Sequence, residues 1–243
     1  MVTQQPFTMT EQQMYDYINC PVLYNLKYVK NIAIESQPTI KELLSKTSVN
    51  MFTRMYAGQS PSLDKLKSRW DNICEGIVGT DKRFSREKLA AGMGMLHKAF
   101  MWVSDQKFEV LELEAKYTIR LSECEMTGMT GIFVGNKQTG SIELLILDFG
   151  ETMTDQTFVD LKLKYSLDAY VFYQLHKKVI SGIRVHNVKN NRDFLSIRSK
   201  DDYKRVETTI NNAAKGIKNE IWYPREIGCH FCKAASYCKG WSE

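Results

Sequence analysis

Apolar residues recur three or four apart through most of the first hundred positions and then shift to the closer rhythm of strands. The chain therefore reads as a helical first part followed by an α/β second part. Thr8 and Thr10 precede Glu11 and Gln13 at capping-box spacing, which predicts a helix from there to about Tyr28. Tyr17, Leu23, Tyr24 and Tyr28 fall near helical spacing on it and are expected to pack in a core rather than to stack on nucleic acid. Breaks at Gln37-Pro38, from Gly58 to Pro61 and from Gly76 to Lys82 divide the next stretch into three helices, Thr39–Tyr56, Leu63–Ile77 and Ser85–Val103.

The character changes at Phe108. Phe108–Ile119 and Glu125–Val134 each read as one strand, and Ile142–Phe149 is a nearly continuous apolar run. Gly135-Asn136 and Thr139-Gly140 are the turn signals between the last two. Val159–Val179 follows as a long helix, Ile180–Asn187 and Asp193–Ile197 as short strands joined by Lys189-Asn190-Asn191, and Lys200–Lys218 as a last amphipathic helix. Helix, helical insert, three strands, helix, two strands and helix is the order of an α/β protein with a mixed sheet flanked by helices.

With 243 residues, 43% of them hydrophobic and 25% charged, the chain can bury a substantial core and has the size of one domain with an insertion. No apolar run approaches bilayer length, and Met1 to Pro6 carry neither a basic nor an apolar signal region. A cytoplasmic protein is expected, in the host cell's cytoplasm if the chain is viral. A net charge of +5 permits polyanionic partners without requiring them.

Chemistry concentrates in the cysteines. Cys229, Cys232 and Cys238 stand at x2 and x5 spacing, too close for three independent core thiols, and suit one small inorganic centre. Cys20, in Tyr17-Ile-Asn-Cys20-Pro-Val-Leu-Tyr24, is the expected fourth ligand, tying one end of the chain to the other. Four thiolates suit zinc as well as iron. Cys74 and Cys124 stand alone and read as small buried hydrophobes.

A lone Cys-Pro inside a Tyr-rich helix, combined with a distant Cys-x2-Cys-x5-Cys, resembles the iron–sulfur branch of the PD-(D/E)XK nucleases. That branch includes the CRISPR-associated RecB-like exonucleases and the nuclease domains of AddB-type helicase-nucleases. The resemblance implies a restriction-endonuclease-like α/β core with a helical insertion. It also implies a 4Fe-4S cluster on Cys20, Cys229, Cys232 and Cys238, with Zn2+ as the alternative occupant. The implied layout is an N-terminal helix with the first cysteine over 1–33, a helical subdomain over 34–104, the nuclease-like core over 105–220 and the cluster segment over 221–243.

Nucleases of this family hold divalent ions with acidic side chains and orient the nucleophile with a lysine. Against their motifs, His97 fits the histidine position. Leu147-Asp148-Phe149-Gly150 keeps the third-strand acid as Asp148 and has Gly150 in place of the lysine. Ser166-Leu-Asp-Ala-Tyr170 keeps the helix tyrosine as Tyr170 and has Ser166 for glutamine, while Gly131-Ile-Phe-Val134 has Val134 where the second-strand aspartate belongs. Valine ligates no hard cation and glycine supplies no charge, so cleavage is expected to be impaired. Lys162 or Lys164, with Glu151 or Asp155, are the candidates for restoring it. Glu114-Ala-Lys116 spells the active motif on the wrong strand.

The role implied is a nucleic-acid-binding or scaffold subunit of a DNA- or RNA-processing complex, with DNA and protein partners and no membrane. One alternative is an active nuclease using Mg2+ or Mn2+, and another is a protein-interaction module on the same frame. Lys204, Arg205, Arg225 and Lys233, interleaved with aromatic residues, are the candidate nucleic-acid contacts.

Overall fold

The computed structural model describes residues 7–34, 38–77, 84–150, 154–225, 229, 232 and 234–238. In chain order its elements are β1 (Thr8–Thr10), α1 (Glu11–Asn19), α2 (Pro21–Tyr24), a π-helical turn (Asn25–Val29), α3 (Ile40–Tyr56), α4 (Leu63–Ile77) and α5 (Arg86–Asp105). Then come β2 (Phe108–Leu113), β3 (Lys116–Arg120), β4 (Glu125–Met129), β5 (Ile132–Asn136) and β6 (Ile142–Asp148). The chain continues with α6 (Gln156–Leu161), α7 (Leu163–His176), β7 (Gly182–Asn187), β8 (Arg192–Ser196), α8 (Lys200–Lys218) and a 3-10 turn (Ala235–Tyr237). The fold is α/β, with mixed sheets flanked by helices, as the sequence pattern implies. No helix among the described residues is long and apolar enough to cross a membrane.

Two compact units share the chain, each made of separated stretches. Met1–Gln37, Lys116–Met129 and Lys200–Glu243 form one, and Pro38–Ala115 and Thr130–Ser199 form the other. In the first, β4 lies between β1, which it pairs in parallel, and β3, which it pairs antiparallel. Thr10 starts α1 with a full capping box: its hydroxyl accepts the Gln13 N–H and the Gln13 side chain accepts the Thr10 N–H. The helix expected to run on to Tyr28 breaks at Cys20, which is extended (φ −162°). Pro21 then restarts it as α2, at a first-turn position where its missing N–H costs nothing. α8 keeps the boundaries read from the sequence and buries Tyr203, Val206, Ile210, Ala213, Ala214 and Ile217.

The second unit is built on a five-stranded sheet in the order β2-β5-β6-β7-β8, in which β6 and β7 are parallel and the other pairs antiparallel. Alternation along the strands sends side chains to two cores. Val134, Leu145 and Leu147 join Leu44 and Phe52 of α3, Trp70 of α4 and Leu96 of α5 in one cluster. Phe133, one residue before Val134, packs instead on Phe172 of α7 with ring centroids 4.3 Å apart. The helices α3, α4 and α5 match the three expected to within two residues.

Three further expected elements are divided. Phe108–Ile119 is two strands, because Glu114 adopts a left-handed φ of 43° between β2 and β3, which then belong to different sheets. Glu125–Val134 likewise separates into β4 and β5 at Thr130-Gly131, where Thr130 donates its N–H to the Ala115 carbonyl and accepts the Ala115 N–H on its hydroxyl. The long helix after β6 is broken at Lys162, which is extended. There the buried Arg198 guanidinium takes the Val159 carbonyl at 2.8 Å, an acceptor that a continuous helix would have used itself.

Gly92 of α5 faces the buried Trp70 ring, and a Cβ there would stand 2.6 Å from Trp70 Cζ2. In an open helix, Gly→Ala gains about 1 kcal/mol. Here the collision with a rigid buried ring is larger, so Gly92→Ala is expected to destabilise the protein by about 1–3 kcal/mol in urea titration. A variant as stable as the parent would show that the ring yields without cost.

Candidate functional site

The four cysteines expected to act together do line one cavity, of about 470 Å3. Its other walls are apolar: Val22, Leu23, Leu26, Pro224, Ala234 and Ala235. Side-chain docking brings the distant segments together. Trp222 stacks on Tyr24 at 5.7 Å and meets the edge of Tyr17 at 6.1 Å. Tyr17 donates its hydroxyl to the Ile221 carbonyl at 3.0 Å, and the Arg225 guanidinium donates to the Ile18 carbonyl. Tyr17 and Tyr24 are thus core residues, as their spacing implies, while Tyr28 is half-buried. Cys20 reaches the cavity from the hinge between α1 and α2 rather than from mid-helix, and Cys229 and Cys232 from a tight turn in which the Cys232 N–H meets the Cys229 carbonyl at 3.0 Å.

None of the four is in a disulfide, all are half-buried, and the Cys229 thiol donates to the Arg225 carbonyl at 3.0 Å; the soft donor set in an apolar pocket fits a thiolate-held centre. Among the described residues no three His, Cys, Asp or Glu side chains are drawn tightly enough together to hold a metal ion, so the cavity is common space and not a formed shell. Cys124 is buried elsewhere, its thiol pushed up to about 11 by burial, and Cys74 is half-buried beside the helical cluster.

A second arrangement surrounds Asp148, at the end of β6 and 3% exposed. Lys41 Nζ, from the first turn of α3, lies 2.6 Å from its Oδ1, and the Gly150 N–H lies 3.1 Å from the same oxygen. Oδ2 accepts from the Thr154 hydroxyl and, at 3.2 Å, from the Asn187 side-chain amide. A carboxylate has about four lone-pair sites, and here four donors take them. Burial pushes the carboxyl pKa up. The hydrogen bonds from Lys41 and Thr154, the Lys41 charge and the Gly150 N–H outweigh it and hold the pKa below the ordinary value. Tyr165 of α7 is buried nearby, and burial followed by the charges of Asp148 and Asp168 pushes its phenol up to about 12, so it stays protonated at neutral pH.

Two glycines lie close to these carboxylates. A Cβ at Gly150 would stand 3.1 Å from Asp148 Oδ1 and 3.5 Å from Lys41 Nζ, and one at Gly131 would meet Leu144 Cδ1 at 2.6 Å and Oδ2 of the buried Asp168 at 3.4 Å. Asp168 is itself paired with Lys164 Nζ at 2.7 Å.

On β5, Val134 pairs with Glu143 of β6, and its side chain lies in the core with Leu145 and Leu147. His97 is exposed on α5 and takes no part in the bonding around Asp148. Tyr170 is buried in α7, and Ser166 accepts a hydrogen bond from Arg198 Nε at 2.7 Å. Glu114 is exposed at the bend between strands, and Asp155 caps α6 by accepting the Phe158 N–H.

Of the candidate restoring lysines, Lys162 lies over the Phe158 ring and Lys164 serves Asp168. Lys41, Thr154, Asn187 and Asp168 carry no sequence motif. Lys204 and Arg205 are exposed on α8 and lie 3.6 and 3.7 Å from Asp201 and Asp202 respectively, while Arg225 is committed to Ile18. Lys233 and Glu151 lie outside the described residues.

No protein-family model matches the chain, and no curated protein matches it either. Among solved structures, the crystal structure of SSO0001 is similar over 84% of this chain and 98% of its own, at 11% identity and a TM-score of 0.35. A likeness of that size carries no argument, and the site has to be judged on its own geometry.

Removing the carboxylate would strand two buried donors and one ammonium. Asp148→Ala is expected to cost about 2–4 kcal/mol at neutral pH, toward the lower end because Lys41 is 51% exposed and can turn to water. A folded-state pKa below the unfolded value of about 3.9 places this stabilisation above that pH and removes it as pH falls through the folded value. Urea titrations from neutral to strongly acidic pH should therefore show the gap between parent and variant closing in acid. A gap that stays constant would mean that the charge contributes nothing.

Proposed function

We propose that this chain is a four-cysteine iron–sulfur protein on a PD-(D/E)XK-like frame that has given up phosphodiester cleavage and serves as a nucleic-acid-binding or scaffold subunit of a larger complex. The observation that carries the reading is the convergence of Cys20, Cys229, Cys232 and Cys238 on one apolar cavity. When bound, a 4Fe-4S cluster would cross-link the two arms of that unit and add a redox-active centre. Closing a loop of that length is worth about 5 kcal/mol of unfolded-chain entropy. The sheet supports the frame: two antiparallel pairs, β2-β5 and β5-β6, lead into the parallel pair β6-β7, with helices on both faces.

Loss of cleavage follows from charge and lone pairs. A divalent ion needs carboxylate oxygens with room to coordinate, whereas Asp148 is satisfied by four donors and Asp168 is paired with Lys164. Two carboxylates and two ammonium groups leave no net negative charge to attract the ion. A second reading, an active nuclease with relocated residues, is favoured by the position of Lys41 beside Gly150 and Asp148. It requires a metal to displace Lys41 from Asp148.

Anaerobically purified protein is expected to show broad visible absorption that Cys229→Ser abolishes, and colourless protein carrying zinc would replace iron in this reading. End-labelled duplex DNA incubated with the loaded protein and Mg2+ or Mn2+ is expected to remain intact. Cleavage that disappears in Asp148→Ala would establish the second reading instead.

A further inference from the structure

Resting on the nucleic-acid reading above, we propose that Lys41 is the phosphate contact of the sheet-bearing unit, an ammonium fixed by Asp148 that binds a backbone phosphate beside Gly150. Lys41 donates to Asp148 Oδ1 at 2.6 Å, which uses one of its three N–H bonds, and the side chain keeps 51% of its surface in solvent. Among the described residues no acceptor takes the other two, which can serve an acceptor from outside the protein. Three neutral donors, the Gly150 N–H, the Thr154 hydroxyl and the Asn187 amide, share the Asp148 charge, so the ammonium is less spent than in an isolated pair.

Position 150 completes the geometry. A side chain there would begin 3.1 Å from Asp148 Oδ1 and 3.5 Å from Lys41 Nζ, crowding both partners. Glycine places no side chain of its own beside the ammonium. The buried end of the pair is anchored on β6 and on Asn187 at the end of neighbouring β7. This anchoring separates Lys41 from Lys204 and Arg205, which stand on the exposed face of α8 with aspartates one turn back. A lysine held at its tip loses less freedom on meeting a phosphate than one free to sweep through solvent. No bond is made or broken in the contact, and no metal is needed for it.

The test measures binding of a short fluorescein-labelled duplex DNA across a range of salt concentrations. Lys41→Gln is expected to weaken binding several-fold and to lower the slope of log affinity against log salt by about one, whereas Lys41→Arg keeps the slope. In the parent protein, with no substitution to disturb folding, the same DNA should protect Lys41 from acylation by an amine-specific reagent, and inorganic phosphate alone should not. A parent that binds no DNA ends the nucleic-acid reading and this proposal with it. Binding with an unchanged slope in Lys41→Gln and an unprotected Lys41 overturns this proposal alone, and protection by inorganic phosphate without DNA would assign the contact to a free anion.

Discussion

A carboxylate removed from water is tolerated only when protein donors replace its hydration, and Asp148 meets that demand from four separate segments. The start of α3 supplies an ammonium, the turn after β6 a backbone N–H, the approach to α6 a hydroxyl and the end of β7 an amide. Each must be in place for the charge to be stable. The carboxylate therefore fixes where the helical insert meets the sheet, a task that nonpolar contacts alone leave less specific. On the same strand as Asn187, His186 is 1% exposed, stacks on Trp102 at 4.1 Å and meets Asp193 at 2.7 Å through Nδ1. Burial pushes its pKa down and Asp193 opposes that, the net shift being downward. Polar anchoring thus recurs along β7.

The cysteine unit is assembled by a different kind of force. Aromatic stacking between Trp222 and Tyr24, the Tyr17 hydroxyl bond and the Arg225 tie hold the arm that carries the last three cysteines against α1 and α2. Asp16, 6% exposed, accepts from Gln12, Lys27 and Tyr28 and so ties α1 to the turn after α2. None of these contacts involves a thiol. A metal centre would add cross-links to an arm that protein contacts already position.

Much of this was legible in the residues and some was not. Helices α3, α4, α5 and α8 show their periods and caps openly because local signals and tertiary packing agree there. The cysteine spacing pointed to one shared location, and the four cysteines line one cavity. What failed were continuities: Phe108–Ile119 and Glu125–Val134 look unbroken because β-propensity does not register a change of sheet, and only the positive φ at Glu114 and the exchange between Ala115 and Thr130 mark it. That Val134 faces the core beside Leu145 and Leu147 is a matter of strand parity and register that one sequence cannot expose. Lys41 was invisible for another reason: a helical residue over a hundred positions before its partner carries no local sign of the charge it neutralises.

The interleaving of the two units has a bearing on biosynthesis. The stretch 116–129 lies between the two segments of the sheet-bearing unit, and the first unit requires α8 and the arm beyond it. As a chain leaves the ribosome, every strand of the five-stranded sheet has emerged before residue 229 does. Cys20 emerges long before Cys229, Cys232 and Cys238. A centre held by all four would thus be loaded only after the sheet has been made, and until then Cys20 would stand exposed to oxygen and to competing metals.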